Sequence, residues 1–189
     1  MTRDTRQVIK DTALDLFHRK GYTATGVLDI TKTAGVPKGS FYHFFDSKES
    51  LAREVVEQYS ATTRLDILSA SDPSPLQRIK NHLEHIMTTS AEASYRRGCL
   101  LGNFSTEMPP QSSLVASAVD QALSDWAQRL AATIAEAQSA GEISTTSDAN
   151  QLAQFLVAGL EGSLARAKVS GSQEPLDTFR DVAFSLLLA

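Results

Sequence analysis

A lone thiol and one short polar run are the groups of this chain best suited to chemistry. Cys99 is the single cysteine among 189 residues, and it lies in Arg96-Arg97-Gly98-Cys99-Leu100-Leu101-Gly102-Asn103. Two arginines precede it and a helix is predicted to begin beside it. Cations and a helix N-terminus both favour thiolate, so reaction with electrophiles or oxidants is one chemistry open to Cys99. Packing is the other reading, because cysteine is also a small, well-buried hydrophobe. One cysteine excludes an internal disulfide and cannot build a thiolate zinc site. His82 and His85 stand three apart on a predicted helix, but no second pair of ligands accompanies them, and neither a metal nor another cofactor is expected. The chain has no Gly-x-Ser-x-Gly, no phosphate-cradling glycine loop and no His-Glu-x-x-His, so an enzyme is not expected.

The polar run is Lys38-Gly39-Ser40-Phe41-Tyr42-His43. Two short helical patterns flank the turn Ala34-Gly35-Val36-Pro37. The first places Val27, Ile30, Thr31 and Ala34 on one face and leaves Asp29 and Lys32 in water. Gly35 supplies the positive φ of a tight turn, and Pro37 pre-sets the first position of the next helix. That second helix, 37–44, turns Phe41 and Phe44 inward, with Phe45 just beyond, and presents Lys38, Gly39, Ser40, Tyr42 and His43 outward. A thin helix start with hydroxyl, imidazole and ammonium groups suits a DNA major groove. Ser47 is a candidate N-cap of the next helix, where Lys48 beside the helix end can hold a phosphate. Arg3 and Arg6, at the start of the first helix, can reach phosphates too. The same spacing also fits an αα-hairpin inside a helical bundle.

The block from Thr23 to Leu51 resembles the N-terminal DNA-binding domain of the TetR family of bacterial transcriptional regulators. Phe17 to Gly21-Tyr22, Thr25, Asp29-Ile30, Ala34-Gly35-Val36, Lys38-Gly39-Ser40, Tyr42-His43-Phe44-Phe45 and Lys48-Glu49-Leu51 carry the match. Gly26 departs from it, standing where the family often has a better helix starter. The resemblance implies an all-α homodimer. Residues 1–46 would form a three-helix helix-turn-helix domain that binds double-stranded operator DNA, and 47–189 a helical domain that binds a small-molecule effector and dimerises. Its DNA-binding set here would be Arg3, Arg6, Thr25, Lys38, Gly39, Ser40, Tyr42, His43 and Lys48. A dimer reads paired half-sites about 34 to 36 Å apart.

Composition agrees. Hydrophobic residues make up 42% and charged residues 21%, as in a folded globular protein. Residues 1–50 carry eight Lys/Arg against six Asp/Glu and residues 51–189 ten against sixteen, a basic head on an acidic body with a net charge of −4. No apolar run reaches eighteen residues and Met1-Thr2-Arg3-Asp4 opens no hydrophobic leader, so a cytoplasmic protein without a membrane partner is expected.

The remainder is punctuated helix. The first runs over 3–20, on Ile9, Ala13, Leu16 and Phe17. A fourth runs from 47 to about 70, and a fifth over about 75–95 buries Leu76, Ile79, Leu83, Ile86 and Met87. A short helix follows at about 98–107, then a long one within 111–139 carrying Val119, Leu123, Trp126, Leu130 and Ile134. The last two, 148–168 and 174–188, show broad apolar faces. Leu152, Phe155, Leu156, Gly159, Leu160, Ser163, Leu164 and Ala167 form one, and Leu176, Phe179, Ala183, Leu186 and Leu187 the other. These faces fit either a four-helix dimer interface or packing within the monomer.

Residues 98–108, GCLLGNFSTEM, with Ala165 to Phe179, are similar to TetR-type repressors of reductase genes that answer to electrophiles such as N-ethylmaleimide. In that subgroup the matching cysteine senses. The sensor candidates are Cys99, which the resemblance gives, Lys168, at the end of a helix that should line the same pocket, and Trp126. Ser105, Glu107 and Trp126 fit either an effector pocket or the core. The function implied is a repressor released from its operator by a small molecule or by modification of Cys99. Non-covalent effector binding with Cys99 structural is the alternative.

Overall fold

The computed structural model describes residues 4–144 and 147–188; Arg3 and the side chains of Leu186 and Leu187 lie outside the described residues. Among the described residues the chain is all helical: α1 Thr5–Lys20, α2 Val27–Ala34, α3 Lys38–Phe44, α4 Lys48–Thr62, α5 Pro75–Glu92, α6 Leu100–Glu107, α7 Ser113–Ser139, α8 Ala149–Ser170 and α9 Glu174–Val182. Packing divides it into two compact units, Met1–Ser60 with Leu100–Ala122, and Ala61–Cys99 with Leu123–Ala189.

In the first unit, the Asp4 carboxylate caps α1 by accepting from the Arg6 and Gln7 amides. Ile9, Ala13, Leu16 and Phe17 are buried, as their spacing predicts. Phe104 of α6 closes this core, its ring 5.9 Å from that of Phe17 and 6.2 Å from that of Tyr22. At the start of α2 the Asp29 carboxylate accepts from the Gly26 amide at 2.9 Å, so the missing Gly26 side chain does not leave that end uncapped. Gly35 ends α2 at φ 68°. Pro37 precedes α3 and is not its first residue. Phe41 and Phe45 are buried there, while Phe44 is half-buried. Ser47 accepts from the Ser50 amide at 3.0 Å, the cap expected of it.

The fourth helix stops eight residues short of its predicted end. Thr62 and Thr63 are β-branched and Arg64 takes φ 53°, a left-handed conformation that breaks the helix. The chain then makes the single turn Leu65–Ile67 and buries Leu68, whose carbonyl accepts from Arg78 at 2.8 Å and Thr133 at 3.1 Å. In the second unit α5 buries Ile79, Leu83 and Met87 together with Arg78 and His82, while Leu76 and Ile86 are half-buried. Arg78 tolerates burial because Leu68, Ala70 and Glu136 all accept from it. In α8 a Cβ at Gly159 would meet Phe179 of α9 at 3.0 Å, so this small residue admits the chain's own next helix. The final helix is regular only to Val182 and ends in the wider turn Ala183–Leu187.

Candidate functional site

α3 is seven residues long and divides sharply by face. Phe41 is fully buried, its ring 5.7 Å from that of Phe45. On the other side Lys38, Gly39 and His43 are exposed, Ser40 is half-buried and Tyr42 is 55% exposed. Gly39 is informative. Glycine within a helix costs roughly 0.5–1 kcal/mol relative to alanine, yet a Cβ at Gly39 would meet nothing within 4 Å. No neighbour within the chain requires the glycine, and the space beside it is open.

Three of the expected DNA contacts have hydrogen-bond partners within the head. Thr25 is fully buried and its hydroxyl donates to the Gly21 carbonyl at 2.7 Å. It therefore drops out of the set of side chains that can reach DNA. The Arg6 guanidinium donates to both Glu54 oxygens at 2.7 and 2.6 Å and lies 5.0 Å from the Phe45 ring centroid. It ties α1 to α4 while its side chain stays 42% exposed. The Lys48 ammonium donates to the Tyr22 and Thr25 carbonyls at 3.1 and 3.2 Å and is turned inward. Arg3 lies outside the described residues.

Glu107, the last residue of α6, takes part in the same assembly. Its carboxylate accepts from the Tyr22 amide at 2.9 Å and the Thr23 amide at 2.6 Å. Partial burial alone would raise its pKa, but hydrogen bonds from Thr23 and Tyr22 and the nearby Lys48 charge take it below the ordinary carboxylate value. Gly21 is required beside it, with φ 85° and room for a Cβ only 3.0 Å from Oε2. Ser105, the other pocket candidate on α6, is exposed and donates to the Gly102 carbonyl.

In the second unit Cys99 is 5% exposed and immediately precedes α6. Arg96 and Arg97 are exposed. The carboxyl of Glu161 on α8 is hydrogen-bonded to the thiol. Burial raises the Glu161 pKa, and the thiol hydrogen bond opposes that in part. Lys168 lies in the last turn of α8 and is exposed. Trp126 is buried in α7, where its Nε1–H donates to His82 Nε2 at 2.8 Å. His85 is bonded to the Thr62 carbonyl at 3.0 Å, so the two histidines face different partners. Between α5 and α9 lies an open cleft of about 810 Å³ lined by Leu83, Met87 and Phe184 with Lys80, Glu84 and Arg180.

Sequence reasoning did not assign Glu107 to the head or notice Glu161. Glu107 carries no local signal, since its partners lie 84 and 85 residues away. Glu161 does carry one, a carboxylate next to the buried positions Leu160 and Leu164 of an apolar face. No helix among the described residues is long and apolar enough to cross a membrane.

Known proteins give the same outline. A profile described as "Bacterial regulatory proteins, tetR family" matches residues 9–55, and one described as "Tetracyclin repressor-like, C-terminal domain" matches residues 75–183. The transcriptional repressor DhaR of Mycobacterium sp. (strain GP1) is 34% identical over 97% of this chain and 92% of its own. The repressor NemR of Escherichia coli K12 is 30% identical over 92% of this chain and 89% of its own. The crystal structure of a regulatory protein TetR from Rhodobacter sphaeroides superposes with a TM-score of 0.87 at 34% identity, covering 93% of this chain and 95% of that one.

Proposed function

The chain belongs to the TetR family of bacterial transcriptional regulators, and from that premise we propose that it is a homodimeric, cytoplasmic repressor released from operator DNA by modification of Cys99. Residues 1–46 read the DNA and residues 47–189 sense and dimerise. Lys38, Gly39, Ser40, Tyr42 and His43 approach the major groove and its phosphates. The observation that carries this reading is the outer face of α3: a bare Gly39 with open space around it and a Tyr42 that stays 55% exposed. Two such helices about 34 to 36 Å apart match successive major grooves, and a shift of a few ångströms loses the match. A chemical change at Cys99 has a short route to the head, because α6 begins at the next residue and ends in Glu107 after about 12 Å.

The test is binding to the DNA upstream of its own gene. Affinity should fall steeply with salt, and N-ethylmaleimide should release the wild type while Cys99→Ser stays bound. Absence of salt-dependent, site-selective binding refutes the DNA reading; release of Cys99→Ser refutes sensing through the thiol. The second reading, a non-covalent effector with Cys99 structural, is favoured by the burial of Cys99 and by the α5–α9 cleft, whose volume suits a small ligand.

A further inference from the structure

The cleft between α5 and α9 joins an apolar floor to two opposite charges that no described residue matches. α9 runs antiparallel to α5: Gln173, just before it, accepts from the Tyr95 hydroxyl at 2.9 Å, and the Phe184 ring centroid lies 5.5 Å from the Lys80 ammonium. From Lys80 to Ala91 the cleft follows α5 for about 16 Å. Its floor is Leu83 and Met87, which are 3% and 7% exposed. Phe184 reaches the rim on the wider turn Ala183–Leu187, which closes as the Leu188 amide donates to the Ala183 carbonyl. Turns of this width are rare in helices and often accompany functional sites.

Four charged side chains line the cleft, and two of them are paired. Arg180 meets Asp181 and Asp177, each at 2.9 Å. Lys80 and Glu84 are exposed and make no hydrogen bond or ion pair among the described residues. They stand one turn apart, but with Lys before Glu, the weaker order for an i,i+4 pair, and Lys80 turns to Phe184 instead.

Resting on the reading in which this cleft holds a non-covalent effector, we propose that it takes zwitterions with an apolar body, of which apolar α-amino acids are the simplest. The ligand carboxylate meets Lys80, its ammonium meets Glu84, and its side chain lies on Leu83, Met87 and Phe184. A plain carboxylic acid would set a second negative charge beside Glu84, and a plain amine a second positive charge beside Lys80. An uncharged apolar compound would cover both charges and match neither.

Methionine-methyl NMR reads the site directly, because the chain has three methionines and Met108, in the other unit, serves as the control for Met87. L-Phenylalanine should shift the Met87 methyl and leave that of Met108 in place, with a Kd of about 1 mM or tighter. 3-Phenylpropionate lacks the ammonium and phenethylamine lacks the carboxylate. Each should bind at least about tenfold more weakly, as expected for the loss of a charged hydrogen bond. Lys80→Gln should abolish the preference for phenylalanine over phenethylamine, and Glu84→Gln the preference over phenylpropionate. Both side chains are exposed, so neither change disturbs the core. An unmoved Met87 methyl, or equal binding of the three compounds, overturns the proposal. Operator affinity separates it from the reading on which it rests. Phenylalanine that binds at Met87 and leaves the operator complex intact keeps the proposal and removes the cleft from effector control. No shift with phenylalanine, beside a different compound that releases the operator without modifying Cys99, keeps non-covalent control and overturns the proposal.

Discussion

The Lys48 ammonium stands 3.8 Å from the centroid of the Tyr22 ring while donating to the Tyr22 and Thr25 carbonyls. A cation placed at the start of α4, where a phosphate was expected, is instead fixed within the head. Burial lowers its pKa, with Glu107 opposing. Its loss should therefore weaken folding more than it alters the DNA contact.

Lys48→Ala should destabilise the protein by about 1–2 kcal/mol, the combined size of a cation–π contact and a charged hydrogen bond at a partly exposed site. The dependence of operator affinity on salt should keep its slope. Lys38→Ala should do the opposite, leaving thermal stability alone and reducing the salt slope by about one for the lost phosphate contact. Equal slopes for wild type and Lys38→Ala, with a reduced slope for Lys48→Ala, would reverse these roles.

Glu107 gives the head a dependence on acid. Its folded pKa lies below the ordinary carboxylate value, so its contribution is fully present above the unfolded pKa and is lost as pH falls through the folded one. Thermal melts of wild type and Glu107→Gln should differ near neutrality and converge below the usual carboxylate range. Parallel melting curves across that range would show that the amides of Tyr22 and Thr23 gain nothing from the charge.

How much of this was legible depends on sequence distance. Gly35 and Pro37 act on their neighbours, so the turn between α2 and α3 can be read directly from the chain, as can the Ser47 cap and the inward face of α1. Thr25 and Arg6 could not be placed in that way. The hydroxyl of Thr25 is taken by the Gly21 carbonyl only because the chain turns back there, and the partner of Arg6 is Glu54, on another helix 48 residues on. A threonine or an arginine near a DNA-binding helix looks the same whether or not tertiary structure has already claimed it. The early end of α4 was hidden for a similar reason, since the carbonyl of Leu68 is held by Arg78 and Thr133 from two later helices.

His82 should make the second unit sensitive to mild acid. Burial is the main cause of its depressed pKa of about 4, against an ordinary 6.5. The neutral ring accepts from Trp126 through Nε2. The unfolded chain takes up the proton first, so stability is fully present above pH 6.5 and declines by about 3 kcal/mol as pH falls to about 4. Trp126 is the single tryptophan, so fluorescence-monitored denaturation follows this pair directly. His82→Gln, which can still accept from the indole but does not titrate, should flatten the decline. An unchanged pH profile in that variant would assign the sensitivity elsewhere.

Association can be separated from internal packing on α8. Gly159 faces Phe179 and Leu164 is buried, so both already have neighbours within the monomer. The outward positions are Phe155 at 62% exposure, Gly162 with open space around its Cα, and Val169 at 87% exposure. They are seven residues apart in turn, one side of the helix, and Val182 of α9 is exposed as well. A second copy covering this stripe would bury it about a twofold axis, where each residue contributes twice. Phe155→Glu should then give a monomer with an unchanged melting profile at low concentration, because a like-charge pair near the axis is costly. Gly159→Ala should lower thermal stability, since its new methyl must displace Phe179, and it should leave association intact. Sedimentation velocity across a concentration series distinguishes the two variants. Dimers of Phe155→Glu at tens of micromolar would place the interface on another face.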